Sequence, residues 1–520
     1  SPRAKGSNQW AVHASESTNG HSLLACDMHL NLLVPNIWYR LSIEYPRETT
    51  CRIHGVTLPG IPFIAAGSNT HIAWGFTNGY VDTTDLVLID VDSTNPNNYL
   101  TPNGSVPFEE RVEEIQIKDS PPCFHKILWT QWGPIDPTPF LGKPVAVRWI
   151  AHDPDAFNFR MIDLETTATV PEALQIASNI HLPVLNFMVA DAEGHIGWSF
   201  LGCIPKRLGY EPELPVSFTD GTKRWDGIRA SKETPALIDP PQGRLWTANN
   251  RVLHDTSLGF DQLNGIRAYQ IRKRLTSQHK LSLDDMKNLQ LDDEVLFFTR
   301  WQKLLLEILD SQNSRHQELY TQVKGWDGHC TSSSQGYFWI RTFRDRVKAL
   351  VLGRLLAPCF HACPDLDIGA FDFEEPIYQI VSQQPLYLST CNSWTKELSA
   401  LIDEMLLTKD INISWGETNR ACIQHPLSTA LPFFNQFLNM PRTPLTGDWY
   451  VPRLAGPSVG ASLRMIVSPG HEEEGLFNMP CGQSGHPLSP HYRDQHAAWL
   501  EGKPTPFLPG KSIHQLMLIP

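Results

Sequence analysis

The sequence predicts an α+β fold in one large layered body, and three observations predict it. Strand-like sequence runs from about residue 9 to 89 and again over about 113–205. Helical sequence takes over from about 265 to 355, and strand character returns over 449–467. Two strand-rich regions each need an outer face covered, and the helices between them are the available cover. Four layers, in the order helix, sheet, sheet, helix, are therefore expected. Length alone would allow roughly three or four domains, but no internal repeat or low-complexity segment divides the chain.

In the first region short apolar runs at residues 10–12, 22–26, 38–45, 72–76 and 86–90 are separated by Gly, Asn, Pro and Asp turn chemistry, which reads as strands. The second region repeats the pattern at 113–117, 145–150, 186–191 and 195–200. Its polar Asp191-Ala192-Glu193-Gly194 suits a hairpin turn. Beyond about 264, Ser282 followed by Asp285 has the form of a helix N-cap with its reciprocal acid. Leu289, Val295, Trp301, Leu305 and Ile308 continue in an approximately helical rhythm.

Hydrophobic residues make up 41% and charged residues 19%, with 16 Trp and 23 Phe, enough apolar surface for a sizeable core. A formal net charge of -12 and the absence of a Lys/Arg run exclude a nucleic-acid partner, which needs a clustered basic footprint. No apolar stretch is long enough for a membrane span. The opening Ser1-Pro2-Arg3-Ala4-Lys5-Gly6 has no apolar core of a signal peptide, so any export signal would lie upstream. Ten cysteines are too sparse for a disulfide scaffold and leave the compartment open. Cys359 and Cys363 lack the second pair of a zinc site, and read as buried thiols or one local disulfide.

Ser7, in Gly6-Ser7-Asn8-Gln9-Trp10, puts a small hydroxyl residue directly before a strand. By itself this is an ordinary surface turn. A serine hydroxyl attacks well only when a base takes its proton, and an α-amine, with a pKa of about 7.7–8.0, is a suitable base at neutral pH. Only a chain that begins at the serine has that amine free.

The run S-N-x-W, then Cys26-Asp27-Met28-His29-Leu30, Gly60-Ile61-Pro62 and the segment 67–78 (G-S-N-T-H-I-A-W-G-F-T-N) resembles the start of the catalytic subunit of penicillin-acylase-type N-terminal-nucleophile amidohydrolases. Matches continue in order through Trp132-Gly133-Pro134-Ile135, 186–207, Asn249-Asn250, Trp415-Gly416, His425-Pro426-Leu427 and 482–487. The likeness covers about 7–506. It departs from the family where N-D-P-H-L is replaced by C-D-M-H-L.

The resemblance implies an αββα sandwich and the following roles. Ser7 is the nucleophile and, once the Gly6–Ser7 bond is cleaved, its α-amine is the base. His29 orients them. The Asn78 N–H and the Asn249 side chain meet the oxyanion, and Arg267 positions Asn249 or the substrate. Met28, Leu30, Ala66 and Phe76 stand at acyl-pocket positions, where lost aromatic walls favour an aliphatic chain. Asp82, Thr84, Asp85, Pro212 and Asp255 match a structural calcium segment, although the family often has Asp-Asp-x-Asp where this chain has Asp82-Thr83-Thr84-Asp85. Catalysis itself needs no cofactor. Read alone, Asn78-Gly79 is a turn, Asn249-Asn250 a loop and Arg267 a helix-surface charge.

Residues 1–6 then resemble the end of a spacer peptide and 7–520 a single catalytic β subunit, its smaller α subunit coming from the same precursor. Autoproteolysis would proceed by an N-to-O acyl shift onto Ser7 Oγ. The expected substrate is a small acyl amide such as a β-lactam, an acyl-homoserine lactone or a lipopeptide, and the family favours a periplasmic or secreted protein. Two other readings compete. An α/β-hydrolase-type esterase would use Ser458 of Gly456-Pro457-Ser458-Val459-Gly460 with Asp494 and His496, which requires a strand-to-helix elbow. A binding protein that kept the fold would have lost the nucleophile or the oxyanion asparagine, and both are present.

Overall fold

The computed structural model describes residues 6–46, 50–229, 233–310, 312–368 and 371–518. Residues 1–5 of the expected spacer therefore lie outside the described residues.

The chain opens with β1 (Gly6–Val12) and β2 (Leu23–Asn31), then β3 (Tyr39–Tyr45), β4 (Cys51–Thr57), β5 (Ala66–Ser68) and β6 (Ile72–Asn78). After an excursion of small sheets and helix α1 (Val170–Ala177) come β7 (Leu185–Asp191), β8 (Ile196–Leu201), β9 (Ala236–Ile238) and β10 (Arg244–Thr247). The chain closes with β11 (Val459–Val467), β12 (Leu476–Asn478) and β13 (Thr505–Pro506). One sheet has the order β10-β1-β2-β11-β12-β13 and the other β9-β8-β7-β6-β5-β4-β3. The N-terminal strand is thus clamped between strands from the middle and the start of the chain, and the C-terminal strands finish the same sheet.

Side-chain alternation along β1 and β2 separates two cores. Ala11, Leu24, Cys26 and Met28 join Trp74, Phe76, Phe187 and Met188 in the core between the sheets. Trp10, Val12, Leu23 and Ala25 face outward onto α2 (Ile266–Thr276) and α3 (Leu283–Gln290). Val170, Ala173 and Ala177 of α1 cover the other sheet. The layers are therefore helix, sheet, sheet, helix, as expected. The sheets approach closely at Gly75: a Cβ there would lie 3.0 Å from both Cβ and Sγ of Cys26.

The hairpin turn at 191–194 and the Ser282/Asp285 capping box are both present. The helical stretch departs from expectation in extent. Apolar rhythm across 289–308 does not make one helix, because the chain breaks between α3 and α4 (Thr299–Ile308), where Asp292 and Asp293 intervene. The expected stretch also holds α5 (Ser314–Lys324) and α6 (Gln335–Leu355), and helices continue well past 355 with α7 (Glu374–Gln383) and α8 (Trp394–Thr408). They pack around Trp301, Trp339, Phe343 and Trp394 in a core of their own. Pro376 in the first turn of α7 and the prolines at 358, 364 and 385 around it break up the sequence there, whereas Trp394, Leu398, Ile402 and Met405 of α8 keep a helical rhythm with no proline. Over 449–467 only Val459–Val467 is strand. Cys359 and Cys363 are exposed free thiols, not buried or bridged.

Candidate active site

Ser7 occupies the second position of β1 and is almost completely buried. Its N–H donates to Asn249 Oδ1 at 2.6 Å, and its hydroxyl donates to the Gly6 carbonyl at 2.5 Å. Asn249 follows the end of β10, which pairs with β1, so sheet pairing brings two residues 242 apart into contact. Its backbone is left-handed (φ 66°), a conformation that asparagine tolerates better than most residues.

Asn249 Nδ2 donates to the Asn78 carbonyl at 3.0 Å. The Gly79 N–H donates to Val184 across the β6–β7 ladder, so Asn78, one residue earlier, is a non-hydrogen-bonded position of that ladder. Its N–H and carbonyl therefore leave the strand on the same side, away from β7 and toward Asn249. Asn249 thus links the two residues, its Oδ1 accepting from the Ser7 N–H and its Nδ2 donating to the Asn78 carbonyl.

Arg267 reaches the cluster from α2. One guanidinium nitrogen donates to the Ser7 carbonyl (3.0 Å) and to Asn8 Oδ1 (2.5 Å), and the other to Asn249 Oδ1 (2.9 Å). It is no surface charge: it is buried, and burial draws its pKa down to about 10, which leaves it charged at neutral pH. Gly6 is required by the same contacts, because a Cβ there would meet Arg267 Nη2 at 2.8 Å and Asn249 Oδ1 at 3.0 Å.

His29 is not brought to Ser7. In the β1–β2 register Ser7 opposes Met28 while His29 opposes Gly6, so the Ser7 and His29 side chains leave opposite faces of the sheet. The expectation that the His29 side chain orients the nucleophile directly is corrected on this ground. His29 Nε2 instead donates to Asp27 Oδ2 at 2.6 Å. Asp27 also accepts from Asn8 Nδ2 (3.1 Å), and Asn8 Nδ2 further donates to the Pro452 carbonyl (2.9 Å). Burial holds the His29 imidazole below its ordinary pKa, against the pull of Asp27, and so keeps it neutral. His29 Nδ1 and Asp27 Oδ1 have no partner among the described residues. Asn8 and Asp27 were missed as site residues, although an aspartate within an apolar strand was a visible signal.

The four residues expected to line the acyl pocket lie close in the fold. Met28, Ala66 and Phe76 are buried in the core between the sheets, with Leu30 packed against it. Phe76 stacks near Phe187, ring centroids 5.6 Å apart. Thr77 and Thr247, their hydroxyls 2.9 Å apart, tie β6 to β10 beside Asn78 and Asn249.

The carboxylates expected to hold calcium already pair with arginines, which occupy oxygens a hard dication would need. Asp85 Oδ2 accepts from Arg207 Nε (2.8 Å), Tyr210 (2.9 Å) and the Trp225 indole. Arg207 also donates to the Asp82 carbonyl (3.1 Å) and pairs with its carboxylate (3.4 Å). Asp255 pairs with Arg229 at 2.9 Å. Thr84 is exposed, its N–H donating to Asp82 Oδ1 at 2.9 Å, and Pro212 is half-buried.

Ser458 lies just before β11, an interior strand, and not at a strand-to-helix elbow. Asp494 is bonded to His491, and His496 to the Pro480 carbonyl, so no triad forms there.

With a strand-borne serine bonded to Asn249, and Asn249 to Asn78, comparison with known proteins becomes specific. A model of the penicillin amidase family matches residues 2–512. The chain belongs to the penicillin amidase family. It is 26% identical over 565 residues to the acyl-homoserine lactone acylase QuiP of Pseudomonas aeruginosa, with 96% of this chain and 66% of that protein covered. It is 28% identical over 534 residues to the penicillin acylase 2 proenzyme of Pseudomonas sp. strain SE83, covering 97% and 67%. The chain thus spans about two thirds of the length of these relatives. The thermostable penicillin G acylase from Alcaligenes faecalis superposes with a TM-score of 0.72 at 17% identity, over 99% of this chain and 100% of that one, which shows the fold. Among the described residues no helix is long and apolar enough to cross a membrane.

Proposed function

We propose that this chain is the serine-bearing part of an amidohydrolase that cleaves an acyl chain from an amine through an acyl-enzyme on Ser7, after Ser7 has cut its own bond to Gly6. The observation that carries the reading is the joint contact of Asn249 with the Ser7 N–H and the Asn78 carbonyl. It supports the reading by joining, beside the serine whose Oγ would attack, the two residues to which the oxyanion donors are assigned.

In maturation, Ser7 Oγ attacks the Gly6 carbonyl carbon, the C–N bond breaks, and the nitrogen takes the hydroxyl proton to become the free α-amine. Water then hydrolyses the ester and releases Gly6 as a carboxylate. In catalysis the α-amine accepts the Oγ proton as Oγ attacks the substrate carbonyl, and returns it to the departing amine. Water, activated by the same amine, frees the acid and regenerates Ser7. Arg267 keeps its bonds to the Ser7 carbonyl and Asn249 throughout.

Relatives named as acyl-homoserine lactone and penicillin acylases support an acyl-amide substrate. The pocket of Met28, Leu30, Ala66 and Phe76 favours an aliphatic acyl group, each buried methylene contributing about 0.8 kcal/mol. The remaining third of the relatives' length supports a smaller subunit from the same precursor as the other wall of that pocket.

The test is N-terminal sequencing of the large chain expressed with its upstream segment, followed by hydrolysis of acyl amides of graded chain length. A start at Ser7 and rates that rise with chain length support the reading. Full activity in a chain that still begins at Ser1 would sink it. Ser7→Ala should remain one uncleaved precursor, while Ser7→Cys should still cleave through a thioester.

A further inference from the structure

A second group of reactive side chains joins the two sheets at the end away from Ser7. β1 stops at Val12 and His13 follows it, His195 precedes β8, and Asp239 follows β9. One imidazole thus comes from the first sheet, and the other imidazole and the carboxylate from the second. His195 Nδ1 lies 2.7 Å from Asp239 Oδ2, and His13 Nε2 lies 4.0 Å from Asp239 Oδ1. The three donor atoms all fall within 4.8 Å of one another, and each residue is partly buried.

We propose that His13 Nε2, His195 Nδ1 and the Asp239 carboxylate form a binding site for a divalent first-row transition metal, which clips the two sheets together. Two imidazoles with one carboxylate suit zinc, cobalt or nickel, whereas calcium and magnesium take oxygen ligands. A tetrahedral ion with bonds of about 2.0–2.1 Å sets its ligand atoms about 3.4 Å apart. The observed separations, 2.7 Å to one carboxylate oxygen, 4.0 Å to the other, and all three donor atoms within 4.8 Å, bracket that spacing, so an ion would draw the donors together by about an ångström.

The donors are held before any ion arrives. Asp239 is left-handed (φ 44°), fixed by its N–H to the Ile196 carbonyl (3.1 Å) and by the Ile196 N–H to its Oδ1 (2.9 Å). The His13 N–H donates to Gly243 (2.9 Å), and the next N–H, of Ala14, to Gly194 (3.0 Å). Without an ion, His13 Nδ1 accepts from the Ser15 N–H (3.1 Å) and the ring proton sits on Nε2; binding a metal at Nε2 moves that proton to Nδ1, where Ser15 Oγ at 3.0 Å accepts it in place of the Ser15 N–H bond. The Ser15 hydroxyl in turn donates to Glu16 at 3.4 Å. His195 surrenders the Nδ1 proton it shares with Asp239 and keeps its other ring proton on Nε2. Three protein ligands leave the remaining positions to water.

Six residues of extended chain at about 3.3 Å each separate His13 from Ser7, so the ion cannot touch the acyl chemistry. Its effect is on cohesion between the sheets.

The matured protein, dialysed against EDTA and then titrated with cobalt(II) chloride, should show one equivalent of visible d–d absorption of low-coordinate cobalt. Zinc chloride should raise its Tm by several degrees. Both signals should vanish in His195→Ala and in Asp239→Asn, the latter chosen because asparagine accepts the left-handed backbone. Acyl hydrolysis by the metal-free variants should equal that of the metal-free parent. His21, whose ring packs 3.8 Å from that of His471, is the control, since it precedes β2 at the same end of the sheet. His21→Ala should keep both signals. No cobalt absorption in the parent, survival of the signals in both site variants, or their loss in His21→Ala would each overturn the proposal.

Discussion

Ser7 and His29 stand on opposite faces of one sheet, Ser7 across from Met28 and His29 across from Gly6. The histidine therefore reaches the nucleophile only through intermediaries: His29 to Asp27, Asp27 to Asn8, Asn8 to Arg267, and Arg267 to the Ser7 carbonyl and Asn249. It is a positioning residue at several removes.

His29→Ala should accordingly cost stability more than chemistry. Removing the imidazole leaves a buried carboxylate short of a donor, worth on the order of 1–3 kcal/mol in urea unfolding. The fall in kcat of the folded fraction should stay under about 10-fold, well short of the loss of an oxyanion donor. A loss in kcat as large as that of an Asn249 variant would put the imidazole back at Ser7.

Asn249→Ala should lower kcat by on the order of 100-fold or more. Because Asn249 is left-handed, alanine adds about 1 kcal/mol of backbone strain that has nothing to do with catalysis. Asn249→Gly removes the amide without that strain, so the two variants should match in kcat and differ in Tm.

Gly6→Val should stall maturation, since any Cβ at Gly6 displaces Arg267 and Asn249. Gel electrophoresis over time should show precursor accumulating, and Gly6→Ala should be slowed less than Gly6→Val.

The pH dependence of His29 has a definite sign. Its native pKa lies below the ordinary 6.5, so as pH falls from 6.5 toward the native value the unfolded chain binds a proton that the native protein does not. Stability from this group is complete above 6.5 and is lost below it. Compared with His29→Gln, whose amide can still donate to Asp27, the parent Tm should drop more steeply between about pH 6.5 and 5. Parallel Tm curves for the two proteins would refute this.

Calcium chloride added to EDTA-dialysed protein should leave the Tm unchanged, because Arg207 already pairs with both Asp82 and Asp85. Arg207→Met, which leaves Asp85 buried without its cation, should cost about 3–5 kcal/mol. A calcium-dependent Tm in the parent would reverse the assignment.

Much of this was legible in the sequence, because local signals agree with the tertiary result. The strands around Trp10, Trp74 and Phe187, the turn at 191–194 and the Ser282 cap depend on periodicity and turn chemistry that a short window contains. Pairing depends on partners far away. Which face His29 takes follows from register with Gly6, and that register is set by the strands flanking β1 on both sides. The burial of Arg267 depends on α2 docking over β1, which a helical pattern alone does not place. Arg207 and Arg229 carry no motif, so their occupation of the acidic cluster emerged only when the small sheets of the excursion were in position. Pro376 and the prolines around it broke up the sequence signal of α7, while α8 keeps a readable rhythm of Trp394, Leu398, Ile402 and Met405.

The close contact of Gly75 with Cys26 also gives this protein an internal timer. The thiol is sealed between the sheets and burial pushes it up to about 12, so it is neither accessible nor ionised in the native state. Cys123, Cys359, Cys363 and Cys391 lie at the surface. An alkylating reagent will mark those four at once and Cys26 only when the sheets part, so the ratio of the two labels counts how often the two halves of the sandwich separate.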